Sequence, residues 1–382
     1  MNNSYGGVKM EIHLKVAELR KNRNITQQEL ADAVGVSCQA VSKWETQAAM
    51  PDIGMLPELA EYFQVTVDQL LGLKPLAESD YIPVRTGEAS YWSGRLDYLK
   101  RTRDYFWNTD YLRFLIGQVW KITKPVDMLD CGCGYGFLGA LMLPLLPEGS
   151  SYTGIDISEK LLEEGGRYFN GLGLNGTFIC EDIHRYRTER RFGLTVCQAV
   201  LRHSDDPFHI LEHMADLTEP GGLVVCADVN REFECDGIYI EGLDYAMLCE
   251  RHGFRKMWKT ELEKQGRDYS VAMKVPHELH RLGLTDIGVR MNDKVTCLNA
   301  AIPGHKQSIE DFCRAHNWER PLKPKEAEEL IGRFMNHGMD RREAEAYLDK
   351  QRMITEYLAD NEETAELTHV LGMLIAYGRK AE

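Results

Sequence analysis

The sequence predicts a chain of two kinds of domain, a small all-α domain followed by an α/β domain with a mostly parallel sheet. Three observations indicate this. The 382 residues exceed the usual size of a single domain. Residues 12–73 contain a series of short helical patterns with capping signals. From residue 126 onward, short apolar runs typical of buried strands alternate with helical patterns.

Composition and charge exclude several classes of protein. No run approaches the roughly 18 apolar residues of a membrane helix, so we expect no membrane association. The first residues lack the apolar segment of a secretory signal, and the ten cysteines include no CxxC pair, which together predict a cytoplasmic protein. The net charge of −14 repels phosphate, so any DNA binding must be confined to a local surface.

Residues 10–73 are predicted to form five short helices. Thr26 is a favourable N-cap with Glu29 three residues later, the pattern of a capping box. Gly35 ends that helix, and Ser37 caps the next one, CQAVSKWE. A short helix, a glycine turn and a second helix form the helix-turn-helix arrangement, whose second helix enters the major groove of DNA.

The segment ITQQELADAVGVSCQAVSKWE resembles the phage-repressor-like (xenobiotic-response-element) helix-turn-helix family. The resemblance implies a set of DNA-facing residues, with Gln27 and Ser37 at phosphates and Gln39, Ala40 and Lys43 at base edges. Gln can pair with adenine and Lys can donate to guanine, which fits these positions. The first 75 residues carry seven Lys or Arg against nine Asp or Glu, so an ordinary solvated surface is the alternative. Such modules usually bind as dimers, which leaves a homodimer open.

A linker and an aromatic segment are predicted to join this domain to the next. Residues 74–90 carry prolines and a glycine but no periodic apolar face. The segment YWSGRLDYLKRTRDYFWNTDYLRFLIGQVWKI follows and is predicted to form two helices rich in aromatic side chains. An aromatic stripe at helical spacing belongs either to a core or to a lid over a ligand site, and both alternatives stay open.

The stretch LDCGCGYGFLG, Leu129 to Gly139, contains both a cysteine pair and alternating glycines. It follows a predicted strand and opens an apolar helix, and a second strand, SYTGID, ends at Asp156. This order is that of a nucleotide-binding βαβ unit, whose acidic residue bonds ribose hydroxyls. Glycines let the backbone turn sharply and approach a ligand. No further ligand cluster accompanies Cys131 and Cys133, so we predict no metal site.

The pattern D-x-G-x-G-x-G resembles motif I of class I S-adenosylmethionine-dependent methyltransferases, and GIDIS, FICEDI, LTVCQAVLRH and LTEPGGLVVCADV follow in the order of that family. The resemblance implies a Rossmann-like seven-stranded domain over residues 91–300 and 369–382. A helical insertion over residues 301–368 would cover the acceptor site or form a dimer contact. S-adenosylmethionine is the implied cofactor. The implied cofactor-binding residues are Asp130, Gly132, Gly134, Gly136, Asp156, Ile157, Asp182, Ile183 and Gln198.

His203, in VLRHSDDP after the fourth strand, is the candidate catalytic base, because histidine titrates near neutral pH. Bonding to the backbone or capping of the following helix is the alternative role. The segment lacks the N/D-P-P-Y/F and Pro-Cys signatures of DNA-base methyltransferases, so we expect a small-molecule acceptor, with protein or tRNA left open. Farther along, GRDYSVAMKVP loosely resembles a G-x-D…G-x-K-x-P stretch of uncharacterised methyltransferases, through Arg267, Asp268 and Lys274. Ala272 stands where that stretch has glycine.

The sequence therefore predicts an active methyltransferase that carries a DNA-binding module. The alternative is a transcriptional regulator that uses a methyltransferase-like domain as a sensor of cofactor or metabolite. An interaction platform with neither DNA binding nor catalysis is a third hypothesis. The glycine loop and Asp156 fit the first two equally well, so turnover must separate them.

Overall fold

The computed structural model describes residues 12–382, apart from residues 24, 64, 74–80, 85 and 87. Most of the predicted linker and the start of the predicted first domain, residues 10 and 11, therefore lie outside the described residues. The chain divides into two units. Of the described residues, unit one contains those within Met1–Ile82, together with Arg251–Thr260 and Leu322–Lys350. Unit two contains those within Pro83–Glu250, together with Glu261–Pro321 and Gln351–Glu382.

The helices and strands are numbered here in chain order. The α-helices are α1 Val16–Asn22, α2 Gln27–Ala33, α3 Cys38–Glu45, α4 Met55–Phe63, α5 Val67–Leu70, α6 Ala89–Ser93, α7 Leu96–Arg103, α8 Thr109–Phe114, α9 Phe137–Met142, α10 Glu159–Gly171, α11 Pro207–Leu217, α12 Arg231–Asp236, α13 Tyr245–Cys249, α14 Phe254–Gln265, α15 Val275–Arg281, α16 His305–His316, α17 Pro324–Asn336 and α18 Arg341–Asp360. The strands are β1 Asp127–Cys131, β2 Ser151–Asp156, β3 Thr177–Cys180, β4 Phe192–Gln198, β5 Thr218–Val229, β6 Ile238–Ile240, β7 Thr285–Met291, β8 Val295–Leu298, β9 Leu367–Val370 and β10 Met373–Arg379. A π-helical turn covers Leu115–Val119, and 3₁₀ turns cover Leu143–Leu145, Leu201–His203 and Val271–Met273.

Helices α1–α5 of unit one are the five helices that the sequence predicts. Thr26 and Glu29 form the predicted capping box, and the Ser37 hydroxyl accepts a hydrogen bond from the N–H of Ala40. Val41 and Trp44 of α3 are buried in the core of the bundle. The caps fix where α2 and α3 begin, and the buried residues of α3 leave its opposite side exposed.

A second apolar core of unit one comes from two later stretches of the chain. Ile331 of α17 and Ala344 of α18 are buried there, with Phe254 of α14 packed against them. The predicted cap of α18 is present, because the Asp340 carboxylate accepts from the N–H of Glu343 at 2.9 Å. The sequence assigned residues 301–368 to one insertion of the α/β domain, whereas the structure divides this stretch between the two units.

Unit two is built on a seven-stranded sheet with the order β3-β2-β1-β4-β5-β10-β7. The strands β1 to β5 run parallel to one another, whereas β10 is antiparallel to both β5 and β7. This confirms the predicted Rossmann-like sheet. The order of the strands reverses between β1 and β4, and open α/β sheets bind ligands at such a point.

A three-stranded antiparallel sheet, β6-β9-β8, also belongs to unit two and is not predicted by the sequence. The apolar run HVLGMLIAYG predicts one strand, but it forms the end of β9 and most of β10. Gly372 separates them with a φ of 70°. A Cβ on Gly372 would lie 2.7 Å from the Cβ of Phe233, so the break requires glycine.

The aromatic segment also differs from its prediction of two helices, since it forms α6, α7, α8 and the π-helical turn. Gly94 ends α6, and the short loop from Asp104 to Asn108 separates α7 from α8. Among the residues that the structure describes, no helix is both long and apolar enough to cross a membrane.

Candidate active site

A cavity of about 320 Å³ lies in unit two, at the carboxyl ends of the parallel strands. Its size is that of a small-molecule site. Seven of the nine predicted cofactor-binding residues line it, namely Gly132, Gly134, Asp156, Ile157, Asp182, Ile183 and Gln198. His203 lines it as well, whereas Asp130 and Gly136 do not.

The glycine loop after β1 has a left-handed backbone at each of its three glycines. The φ angles of Gly132, Gly134 and Gly136 are 71°, 57° and 76°. A Cβ on Gly132 would lie 2.6 Å from Cγ2 of Val200, and a Cβ on Gly136 would lie 2.9 Å from the ring of Phe169. Conformation and close packing therefore both require glycine in this loop.

The two cysteines of the same loop are neutral thiols. Burial raises the pKa of Cys131 and Cys133 well above the usual range, so neither is a thiolate at neutral pH. None of the ten cysteines forms a disulfide bond. Within the described residues, no group of three or more His, Cys, Asp or Glu side chains is placed to hold a metal ion.

Asp156 connects the end of β2 to the glycine loop. Its Oδ2 accepts a hydrogen bond from the N–H of Gly134 at 2.8 Å, and its Oδ1 accepts from the N–H of Ser158 at 2.9 Å. Burial raises the pKa of Asp156, and these backbone donors act in the opposite direction. Because each carboxylate oxygen has a second lone pair, Asp156 can still accept from a ligand hydroxyl in the cavity.

Asp130 lies beneath the glycine loop, where it is 1% exposed. Its Oδ2 accepts a hydrogen bond from the hydroxyl of Tyr152 at 3.1 Å. Burial raises the pKa of Asp130 to about 7, with a further contribution from the nearby charge of Asp156. A cation bound near the loop would favour the charged form of Asp130.

The aromatic segment contributes both to the core and to the wall of the cavity. Trp107 is buried, and its Nε1 donates to Oε1 of Gln198 at 2.6 Å. Trp92 lines the cavity, donates to the carbonyl of Thr86 at 2.7 Å, and meets the His203 ring edge-on at 5.0 Å between centroids. The segment therefore contributes to the core through Trp107 and to the lining of the cavity through Trp92, and its role as a lid stays a prediction.

His203 is a neutral imidazole in this structure. Its Nε2 accepts a hydrogen bond from Nε of Arg202 at 3.2 Å, which leaves the ring proton on Nδ1. Nδ1 is buried and finds no hydrogen-bond partner in the described part of the chain. Burial and nearby arginine charges hold the pKa of His203 well below its usual range. Its basic nitrogen is thus engaged by Arg202.

Arg103, at the end of α7, is a cavity residue that the sequence did not single out. Its guanidinium lies 4.7 Å from the centre of the Phe106 ring, and within the described residues no carboxylate or carbonyl pairs with it. Burial lowers its pKa. In the sequence Arg103 belongs to the charged run KRTR, and nothing in that run distinguishes the one residue that faces a cavity.

The predicted DNA-facing residues lie on α2, on α3 and at the N-cap of α3 in unit one. Gln39 and Lys43 are exposed one turn apart on α3, and Ala40 is partly exposed between them. Ser37 is the N-cap of α3. Gln27 is held differently, because its Nε2 donates to Oε2 of Glu45 at 2.8 Å. Gln39 and Lys43 are therefore the side chains of this set that are fully available to a partner.

The sheet order and the glycine loop together are those of the class I methyltransferase fold. Comparison with known families agrees, since residues 128–222 match the family described as a methyltransferase domain. Residues 16–70 match the family described as helix-turn-helix. The chain therefore carries a helix-turn-helix domain followed by a methyltransferase domain, which confirms the predicted combination.

Several named proteins are similar to parts of the chain. A ubiquinone biosynthesis O-methyltransferase of Coxiella burnetii is 32% identical over 123 residues, which cover 32% of this chain and 51% of the relative. The ubiquinone biosynthesis O-methyltransferase of Azoarcus sp. is 29% identical over 147 residues, which cover 37% of this chain and 62% of the relative. The chain thus spans about half the length of the first of these curated relatives. Phosphoethanolamine N-methyltransferase 2 of Haemonchus contortus, solved with S-adenosyl-L-methionine, has a TM-score of 0.42 at 14% identity and covers 80% of this chain and 60% of its own.

Proposed function

We propose that this protein is an S-adenosylmethionine-dependent methyltransferase that acts on a small molecule and binds DNA through its helix-turn-helix domain. The observation that carries the proposal is the convergence of seven predicted cofactor-binding residues on one cavity. The named relatives are methyltransferases, which supports the same reaction class. The cofactor would supply an activated methyl group on a sulfonium.

The chemical types of the residues around the cavity match the groups of this cofactor. Asp156 would accept from the ribose hydroxyls, and Asp182 with Ile183 would bind the adenine. The glycine loop provides backbone approach for the methionine part, because a Cβ would fill that space. The unpaired guanidinium of Arg103 would bind the methionine carboxylate, since arginine pairs bidentately with carboxylates.

The chain's own contribution to the reaction would be positioning and exclusion of water. Trp92 and His203 form the wall on the acceptor side, and holding two reactants in line lowers the barrier by removing their relative motion. We propose His203 as the residue that accepts a proton from the acceptor. To do so, Nε2 must first give up the hydrogen bond from Arg202.

The helix-turn-helix domain is proposed to bind duplex DNA with α3 in the major groove. Exposed Gln39 and Lys43 support this placement, because both side chains reach outward from the same face of the helix. A DNA-binding role, together with ten cysteines that form no disulfide bond, supports a cytoplasmic location. Binding as a homodimer to paired half-sites stays a prediction.

The test is a calorimetric titration of the protein with S-adenosylmethionine and S-adenosylhomocysteine, beside the Asp156→Ala variant. We expect binding that the substitution weakens at least tenfold, with unfolding measured in parallel to confirm that the variant is folded. No binding by folded wild-type protein would refute the proposal. If the cofactor binds, turnover in an acceptor screen separates an enzyme from a regulator that only senses the cofactor.

A further inference from the structure

Gln198 presents a hydrogen-bond donor to the cavity, because Trp107 fixes the orientation of its amide. Both side chains are 7% exposed, and Nε1 of Trp107 donates to Oε1 of Gln198 at 2.6 Å. An indole N–H can only donate, so the atom that it meets must be the amide oxygen. The amide nitrogen, Nε2, is therefore directed away from Trp107.

Nε2 of Gln198 is open to the cavity. It has no hydrogen-bond partner among the described residues, and unlike Nδ1 of His203 it is not closed off from its surroundings. Because Gln198 lines the cavity and is otherwise buried, the cavity is the place where Nε2 is accessible. Polar groups in such surroundings are nearly always hydrogen-bonded, so this donor points to a ligand atom with a lone pair.

Gln198 lies between the glycine loop and the turn that carries His203. The strands β1 and β4 are parallel neighbours in which Asp130 lies beside Val196. Two residues farther along the chain on each side, Gly132 therefore lies at the level of Gln198. In the proposed function, the loop approaches the methionine part of the cofactor and His203 lies on the acceptor side. Nε2 of Gln198 would then face the point at which the methyl group is transferred.

The number of lone pairs on the attacking atom decides which acceptors fit this donor. One lone pair must form the bond to the methyl carbon, and a second lone pair is needed to accept from Nε2. A hydroxyl oxygen has two lone pairs, whereas an amine nitrogen has one and an ammonium has none. An oxygen can therefore be held by Gln198 while it reacts, and an amine cannot.

The charged residues of the cavity separate a hydroxyl from a carboxylate. Asp205 and Asp206 line the cavity after the turn that carries His203. Among the described lining residues Arg103 is the one arginine and there is no lysine, and the proposed function assigns Arg103 to the carboxylate of the cofactor. A second carboxylate would therefore meet acidic side chains without a cation of its own.

We propose that the methyl acceptor is an uncharged hydroxyl compound, and that Gln198 selects oxygen over nitrogen by donating from Nε2 to the attacking atom. The acceptor oxygen would bond to the methyl carbon as the carbon–sulfur bond breaks toward sulfur, and its proton would pass to His203. Trp107 is the positioning residue, because it fixes which end of the amide faces the cavity. This inference rests on the proposed function, since it assumes that the cavity holds the cofactor.

The experiment compares the affinities of the full chain for S-adenosylhomocysteine and sinefungin by calorimetric titration. In sinefungin a carbon that carries an amine, protonated at neutral pH, replaces the sulfur. The ratio of the two affinities therefore reports on the surroundings of the transferred methyl group, and effects common to both ligands cancel. The wild-type protein should bind S-adenosylhomocysteine more tightly than sinefungin, because the N–H groups of Gln198 face the ammonium.

Gln198→Glu should change this ratio at least tenfold in favour of sinefungin. The substitution keeps an oxygen that accepts from Trp107, but it replaces the donor in the cavity by a carboxylate oxygen. Gln198→Met adds no buried charge and should change the ratio in the same direction by about twofold or more, so it carries the test if the first variant does not fold. Gln118→Glu is the matched control, since Gln118 is exposed and does not line the cavity, and it should leave the ratio unchanged.

Trp107→Phe tests the positioning role. Without the indole N–H the amide is free to turn its oxygen toward the cavity, so the ratio should again change in favour of sinefungin. Urea-induced unfolding is measured in parallel to confirm that the variant is folded. An unchanged ratio in the folded Trp107→Phe variant would show that Trp107 does not fix the amide.

Benzyl alcohol and benzoate, titrated into protein saturated with S-adenosylhomocysteine, separate a hydroxyl from a carboxylate. We expect benzyl alcohol to bind at least as tightly as benzoate. Tighter binding of benzoate would overturn the uncharged acceptor.

The failure of this inference is distinguishable from that of the proposed function. If S-adenosylhomocysteine does not bind to folded wild-type protein, the proposed function is refuted, and with it the assumption made here. If it binds and the ratio is the same in Gln198→Glu, Gln198→Met and Gln118→Glu, Gln198 does not face the methyl group, and the selection of oxygen is refuted while the methyltransferase proposal stands.

Discussion

Replacement of Gly132 by alanine tests whether the glycine loop is a backbone cradle. A φ of 71° costs an alanine about 1–2 kcal/mol. The new Cβ would also lie 2.6 Å from Cγ2 of Val200, well inside the roughly 3.5–4.0 Å of a normal carbon contact. Overpacking of this kind costs about 1–3 kcal/mol. We therefore expect Gly132→Ala to lower the free energy of unfolding by about 2–5 kcal/mol.

Two other glycines separate the strain from the overlap. Gly173 has a φ of 69°, and a Cβ there would have no atom within 4 Å, so Gly173→Ala should cost the strain alone, about 1–2 kcal/mol. Gly134 has a φ of 57°, and a Cβ there would lie 3.9 Å from its nearest neighbour, Leu99. Gly134→Ala should thus lower the free energy of unfolding by the same amount as Gly173→Ala. Unlike Gly173→Ala, it changes the glycine loop beside the cavity.

The assay is urea-induced unfolding together with titration of S-adenosylhomocysteine. Affinity should fall at least tenfold in Gly132→Ala and Gly134→Ala and stay unchanged in Gly173→Ala. The reasoning is refuted if Gly132→Ala and Gly173→Ala lose the same stability and bind the ligand equally well. In that case neither the close approach of Val200 nor the position of the loop beside the cavity would matter.

Three further predictions concern single charged groups. Arg103→Gln should weaken the binding of S-adenosylhomocysteine at least tenfold, but it should change the affinity for 5′-methylthioadenosine, which lacks the carboxylate, less than about twofold. Calorimetry measures both affinities, and equal losses would contradict a role of Arg103 at the carboxylate. The pKa of Asp130 is raised from 3.8 to about 7, so its contribution to stability is present below pH 4 and is lost as the pH rises through 7. Asp130→Asn should therefore gain stability relative to wild type between pH 4 and 8, by up to about 4 kcal/mol, and a pH-independent difference in urea unfolding would contradict this. Lys43→Gln should weaken binding to duplex DNA and reduce the slope of log affinity against log salt concentration by about 1. Lys15→Gln is the control and should change this slope less, because Lys15 pairs with Glu18 at 2.9 Å. Equal slopes for the two variants would place Lys43 away from DNA.

Much of the fold could be predicted because its signals are local. The caps at Thr26 and Ser37, and the strand, turn and helix around the glycine loop, each depend on a few neighbouring residues. The small sheet β6-β9-β8 could not be predicted in this way, because its strands have three or four residues each and pair across long stretches of chain. Short antiparallel strands are stabilised by such distant partners and leave little pattern of their own.

The residues of the candidate site also differ in whether the sequence could predict them. The place of residues at strand ends, such as Asp156 and Gln198, could be predicted from the strand pattern, because the carboxyl ends of parallel strands lie at the same edge of the sheet. The burial of Arg202 and Arg267 could not be predicted, because a charged residue in a sequence is by default an exposed one. The resemblance that singles out Arg267 does not indicate its burial, which only the structure shows.

The order of the strands also explains where the acidic residues of the cavity lie. The chain leaves β2 and β3 on one side of the reversal between β1 and β4, and the residues there are Asp156 and Asp182. It leaves β4 on the other side, where Asp205 and Asp206 follow and line the cavity. Among the described residues that line the cavity, the one arginine is Arg103, which comes from α7 and not from a strand end. A ligand with hydroxyls at one end and a carboxylate at the other gains hydrogen bonds at both ends when its carboxylate meets Arg103, whereas the reverse orientation would bring the carboxylate against acidic side chains. The sheet and α7 thus orient such a ligand before any contact specific to its reacting atoms is made.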